Sequence, residues 1–142
     1  MDRPTPIGLR LARTARVATA AFERAMAAAG GSASTWQVLL VVRSQQWGKQ
    51  AEIARAMGIT GATLTHHLNA LERHGLVRRW RDESNRRVQR AELTNDGAAL
   101  FERLRVVARE HDERLRSQLT DAEAEQLGEL LDRMRSGLDH TK

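Results

Sequence analysis

The chain has 142 residues, no cysteine and a formal net charge of +5, with 41% hydrophobic and 29% charged residues, a size and balance that suit one globular domain. Without cysteine there is no disulfide, no thiolate metal centre and no thiol switch, and a sequence pI near 11.1 favours a polyanionic partner. No stretch reaches the roughly 18 apolar residues of a membrane span, and Glu23 and Arg24 interrupt the arginine- and alanine-rich start before a secretory core can form, so a cytoplasmic protein is expected.

In chain order, Ile7, Leu11, Ala15, Ala18, Phe22, Met26 and Ala29 recur at helical spacing and predict one amphipathic helix over about 7–29, stopped by Gly30 and Gly31. Ser34 with Gln37 three positions on is a capping-box pattern, opening a second helix through the apolar run from Val38 to Val42. A third, short helix is expected over 49–57, broken by Gly58, and Thr60 caps a fourth that stops near His74 at Gly75. The period then changes. Val77, Trp80, Val88 and Leu93 fall in short segments around the polar centre Asp82-Glu83-Ser84-Asn85, the pattern of a β-hairpin. Thr94 opens a helix to about 118 with Leu100, Leu104, Val107, His111 and Leu115 on one stripe. Thr120 with Glu123 opens the last, with Leu127, Leu130, Leu131, Met134 and Leu138 on its apolar side.

The most informative segment runs from Gln50 to Leu68. Ala54 is small where two helices cross, Gly58 permits the positive backbone angle of a turn, and Ile53, Met57, Ile59 and Leu64 supply a small core that fixes both helices. Leu64, Leu68 and Leu71 then face inwards, leaving Gly61, Ala62, Thr63, Thr65, His66, Asn69 and Arg73 to enter a major groove. Thr63, Thr65 and His66 suit base edges, and Thr60 and Arg73 suit phosphates. From Arg73 to Arg90 the chain places Arg73, Arg78, Arg79, Arg81, Arg86, Arg87 and Arg90 against only Asp82 and Glu83. Arg86 and Arg87 fall near the hairpin tip, where a basic wing can set arginine into a narrow minor groove. Arg78 and Asn85 complete the candidate DNA contacts, and Asp82 is the candidate support of the wing.

The residues resemble the MarR family of regulators over nearly the whole chain. The likeness rests on Ile53-Ala54-Arg55-Ala56-Met57-Gly58-Ile59, then Leu68-Asn69-Ala70-Leu71-Glu72-Arg73-His74-Gly75-Leu76-Val77, then Asp82 with Arg86 and Arg87, and Leu93-Thr94 with Gly97. It implies a mainly α fold with a small β-hairpin wing, a winged helix-turn-helix lobe and a helical dimerisation region, assembled as a homodimer on a pseudo-palindromic site. It also implies repression relieved by a small anionic or phenolic effector. Residues 1–142 then form a single regulator domain, with 32–94 as the DNA-binding lobe and 7–31 and 95–142 as dimerisation helices. Two positions depart from the family pattern: His67 stands where leucine is usual, and Asn85 where an acid is common. His67 fits either a buried, hydrogen-bonded core histidine or a pH- or ligand-sensitive group. Asn85 removes a negative charge from the wing and raises general DNA affinity more than it alters sequence choice.

Enzyme chemistry is missing from the pattern. His66, His67, His74, His111 and His140 form no HExxH or paired metal spacing, and there is no P-loop, GxGxxG or GxSxG. No cofactor is called for. Trp80 between Arg79 and Arg81 is expected to pack the base of the wing. Trp36 either fills the core or borders an effector cleft to which Arg16 and His111 also contribute. Two other functions fit the same elements: a DNA-binding regulator without an effector, and a winged-helix module used for protein contacts, whose exposed helix face would normally be acidic or apolar.

Overall fold

The computed structural model describes residues 3–44, 54, 55, 57–87 and 89–139. The short helix expected over 49–57 is only partly covered, by helical Ala54, Arg55 and Met57, and Trp47, Ile53, Val88 and His140 lie outside the described residues. The elements are α1 (Ile7–Ala28), α2 (Ala33–Ser44), α3 (Gly61–Arg73), β1 (Val77–Arg81), β2 (Gln89–Leu93), α4 (Asn95–Arg116) and α5 (Asp121–Leu138). Met1–Ala108 make one compact unit and Arg109–Lys142 another, the division falling within α4.

α1 stops where its glycines allow a left-handed residue: Gly30 has φ 89° and the Gly31 N–H donates to the Met26 carbonyl at 2.9 Å. α2 is capped two residues earlier than the Ser34–Gln37 spacing suggests. Ser32 Oγ accepts from the Thr35 N–H at 3.0 Å and its carbonyl accepts from the Trp36 N–H at 2.9 Å. Ser34 therefore already lies in the first turn, because Ser32 meets the free N–H groups as soon as the chain leaves the double-glycine turn. Thr60 caps α3 as expected, its Oγ1 accepting from the Thr63 N–H at 3.1 Å. The preceding turn uses Gly58 at φ 71°.

The core of the first unit is aliphatic. The inner face of α3, Leu64, Leu68 and Leu71, is buried with Val38, Leu39 and Val42 of α2, Met26 of α1, Ala54, Val77 of β1, and Leu100, Phe101 and Leu104 of α4. Each large apolar side chain so buried contributes about 1.5–3 kcal/mol, which fixes by default which face of α3 looks out. Antiparallel β1 and β2 pair from Val77↔Leu93 to Arg81↔Gln89, so Val77, Arg79 and Arg81 share the inner face and Arg78 and Trp80 the outer.

One junction holds the end of α3, the root of the hairpin and the start of α4. Gly75 takes φ 70°. Thr94 Oγ1 donates to the Gly75 carbonyl at 2.5 Å and accepts from the Gly97 N–H at 3.1 Å, while the Thr94 N–H donates to the Leu76 carbonyl at 3.1 Å. The Leu76 oxygen lies so close to α4 that a β-carbon at Gly97 would meet it at 1.9 Å.

In the second unit, Thr120 and Glu123 form the expected capping box: the Thr120 N–H donates to Glu123 Oε1 at 2.9 Å and the Glu123 N–H donates to Thr120 Oγ1 at 3.1 Å. These bonds hold the Glu123 carboxyl below its ordinary value of 4.5. Leu127, Leu130, Leu131 and Leu138 are exposed on α5, as Ile7, Leu9, Leu11 and Val17 are on α1. Among the described residues no single helix is long and apolar enough to cross a membrane. α1 and α2 together have the length and composition, but they are bent by 75° at the break and α2 is built into the core.

Gly97→Ala should destabilise the chain by about 2–3 kcal/mol through backbone overlap, whereas Gly61→Ala, with open space around it, should be neutral or slightly stabilising. Chemical denaturation of the two variants checks this; equal stabilities would contradict the close approach.

Candidate nucleic-acid interface

With Leu64, Leu68 and Leu71 committed to the core, α3 exposes Thr60, Ala62, Thr63, Thr65, His66, Asn69 and Arg73. That row carries hydroxyl, methyl, imidazole and amide groups, with its one guanidinium at the C-terminal end. Small polar and methyl groups on a helix that can enter a major groove are suited to base edges.

The seven arginines between 73 and 90 separate into two sets. Arg79 is the least exposed: it donates from Nε to Glu72 Oε2 at 3.1 Å and from Nη2 to the Asn69 carbonyl oxygen, so it braces β1 against α3. Arg78 pairs with Glu92 at 2.7 Å and its guanidinium lies 4.6 Å from the Trp80 ring centre. Arg90 reaches Asp82 at 3.5 Å, and Arg81 donates to the Arg86 carbonyl at 2.9 Å. Arg73, Arg86 and Arg87 are exposed and their guanidinium groups have no acidic partner among the described residues.

The turn between β1 and β2 is built from its own side chains. Asp82 accepts from the Ser84 N–H at 3.4 Å and the Ser84 hydroxyl at 3.1 Å, and Asn85 Oδ1 accepts from the Arg87 N–H at 3.2 Å. Asp82 and Asn85 thus both accept hydrogen bonds within the turn. Bonds from the Ser84 N–H and hydroxyl, with Arg90 beyond them, hold the Asp82 carboxyl below its ordinary value of 3.8. The result is a ligated turn that presents Arg86 and Arg87 side by side at the tip.

One expectation needs correction. Trp80 does not pack the base of the wing: it lies on the outer face of the hairpin, 38% exposed beneath Arg78, because strand alternation gives the inner face to Val77. Arg78 shares that outer face, apart from α3, in an exposed ion pair. His67 is half-buried and not part of the core; it lines an open groove of about 570 Å³ with Thr35, His74, Leu76, Asp96 and Arg103 among its walls. Trp36 stacks on Phe101 at 5.3 Å between ring centres, half-buried against the core. Arg16 is exposed on α1, and His111 is half-buried in the second unit. Arg79, Arg81 and Arg90 were not singled out by sequence; strand alternation could have marked Arg79 and Arg81 as inward, but not what they meet.

Residues 32–88 match the model of the MarR family. No curated protein matches the sequence. Among solved structures, the chain is similar to S. aureus MepR in its DNA complex, at 24% identity and a TM-score of 0.81 over 94% of this chain and 98% of that one. It is similar to a mutant of E. coli MarR complexed with operator DNA, at 22% identity and a TM-score of 0.78, covering 91% and 93%. A Mycobacterium tuberculosis MarR family protein, Rv2887, in complex with p-aminosalicylic acid shares 26% identity with a TM-score of 0.71, covering 92% and 98%.

A carboxyl whose value is lowered by folding adds stability that is complete above its unfolded value and is lost as the pH falls through the folded one. The Ser84 amide resonance should therefore titrate with a midpoint below 3.8, and the transition should vanish in Asp82→Asn. A midpoint at or above that value would mean that Asp82 does not close the turn.

Proposed function

We propose that the chain is a winged-helix regulator of the MarR type, whose family model its residues 32–88 match, and that it is a cytoplasmic transcriptional regulator that binds double-stranded DNA as a homodimer. It is a regulator and not an enzyme. One observation carries the reading: the lobe offers an uncharged polar helix face and, beside it, arginines at positions 73, 86 and 87 that pair with no acid among the described residues. Phosphate neutralisation provides affinity, while the helix face reads bases. Thr63, Thr65 and His66 meet base edges, Ala62 offers a methyl to thymine, and Thr60 and Arg73 take phosphates. Arg86 and Arg87, held by Asp82 and Asn85, enter the flanking minor groove. The outward, ion-paired Arg78 is left out of the contact.

The exposed leucines of α5 and the apolar residues of α1 supply self-complementary surface for a second copy. Two-fold symmetry then sets half-sites about 34–36 Å apart along the duplex. A small aromatic acid is the effector class favoured by the likeness to the p-aminosalicylic acid complex. A protein-contact module is disfavoured because the exposed α3 face is neither acidic nor apolar.

Selection of bound sequences from a random duplex pool should return a palindromic consensus; recovery of no enriched sequence at low ionic strength would overturn the proposal. Arg86→Ala should weaken binding to all duplexes alike and lower the salt slope by about one unit per protomer in contact, while Arg78→Ala should leave that slope unchanged. Equal slopes for wild type and Arg86→Ala would remove the wing from the interface.

A further inference from the structure

Asn69 is exposed on the outward row of α3, and its side chain is not left to choose its own hydrogen bonds. Arg79, on the inner face of β1, holds it from behind. The guanidinium is itself fixed, with its side chain only 13% exposed and two of its nitrogens on the Glu72 carboxylate, at 3.1 Å from Nε and 3.5 Å from Nη2. A guanidinium has donors only, so the Asn69 atom that meets it must be the carbonyl oxygen, whichever way the amide is drawn. The oxygen is thereby occupied, and the NH₂ is the part of Asn69 turned to whatever approaches α3.

This matters because an asparagine recognises adenine by using both ends of its amide, accepting from N6 and donating to N7. The oxygen keeps a second lone pair, but it is drawn towards Arg79, so the end of the amide that meets a base is the NH₂, and over adenine that NH₂ faces the N6 amino group, donor against donor. Guanine offers acceptors at both O6 and N7. Resting on the proposal that α3 lies in a major groove, we propose that Arg79 converts Asn69 into a donor-only reader that selects guanine over adenine at one base of each half-site. Arg79 is a positioning residue: it touches no base and acts through Asn69, with Glu72 holding it in place.

The test measures wild type and four variants on duplexes that differ only by guanine or adenine at each purine of the selected consensus, with thermal melting as the check on folding. Wild type should favour guanine by at least about fivefold at one symmetric pair of positions. Asn69→Ala should abolish that preference there and nowhere else. Arg79→Met, which frees the amide oxygen, should bring the ratio to one or reverse it towards adenine, and Arg79→Lys, which keeps a donor behind Asn69, should retain it. If Arg79→Met does not fold, Asn69→Asp decides, since a carboxylate keeps the Arg79 contact and lacks the NH₂: the guanine preference should disappear with melting unchanged. A guanine preference untouched by Asn69→Asp, or an Asn69-dependent preference for adenine in wild type, would overturn the inference while leaving duplex binding intact. Failure to bind any duplex would instead sink the broader function.

Discussion

The arrangement of the lobe depends on a single hydroxyl. Thr94 Oγ1 donates to the carbonyl that ends the α3 turn and accepts from the first turn of α4, while its own N–H holds the Leu76 carbonyl. Three backbone groups that would otherwise need water are satisfied at one point. Gly97 lets the Leu76 oxygen sit where a side chain would stand. Because β1 leaves this point and β2 returns to it, α3 and the hairpin are referred to the same origin. Their relative position is therefore set by short polar contacts, while the leucines of α3 set its rotation about its own axis.

Given that frame, the arginines do two kinds of work. Arg79, Arg81 and Arg90 spend their donors on Glu72, the Arg86 carbonyl and Asp82, and these bonds shape the hairpin and its tip. An exposed pair such as Arg78 with Glu92 contributes only about 0–1 kcal/mol, so its weight lies in geometry more than in stability. The remaining guanidinium groups keep their full charge for a polyanion. A count of positive residues overstates the part available to a ligand, and the network of acids and carbonyls shows where the excess goes.

Much of this was legible in the chain. Gly30, Gly58 and Gly75, with Thr60 and Thr120, mark turns and caps whose requirements are local, so sequence places them correctly. The inward leucines of α3 follow from period alone. Where two serines could cap α2, only the path out of the Gly30-Gly31 turn decides between them, and Ser32 prevails. Trp80 stands outside because alternation outweighs bulk in a paired strand: Val77 fixes the inner face, and two residues of opposite parity cannot share it. His67, three residues along α3 from Leu64, looks inward by spacing; that its ring borders a groove depends on how α4 and the α1–α2 turn close around it, which no local pattern encodes. The partner of Asn69 belongs to the same class, since Glu72 and Arg79 meet only after the hairpin folds back.

The bend from Asp82 to Arg87 is closed by contacts two to eight positions apart, all of them polar and within the hairpin. It behaves as a cassette. Its charge can drift, or the whole hexapeptide can be transplanted onto another antiparallel pair of the same stagger, without unsettling the scaffold beneath. Under the proposed function, changes confined to this bend alter how hard the chain grips nucleic acid while the α3 face proposed to choose between bases stays as it was.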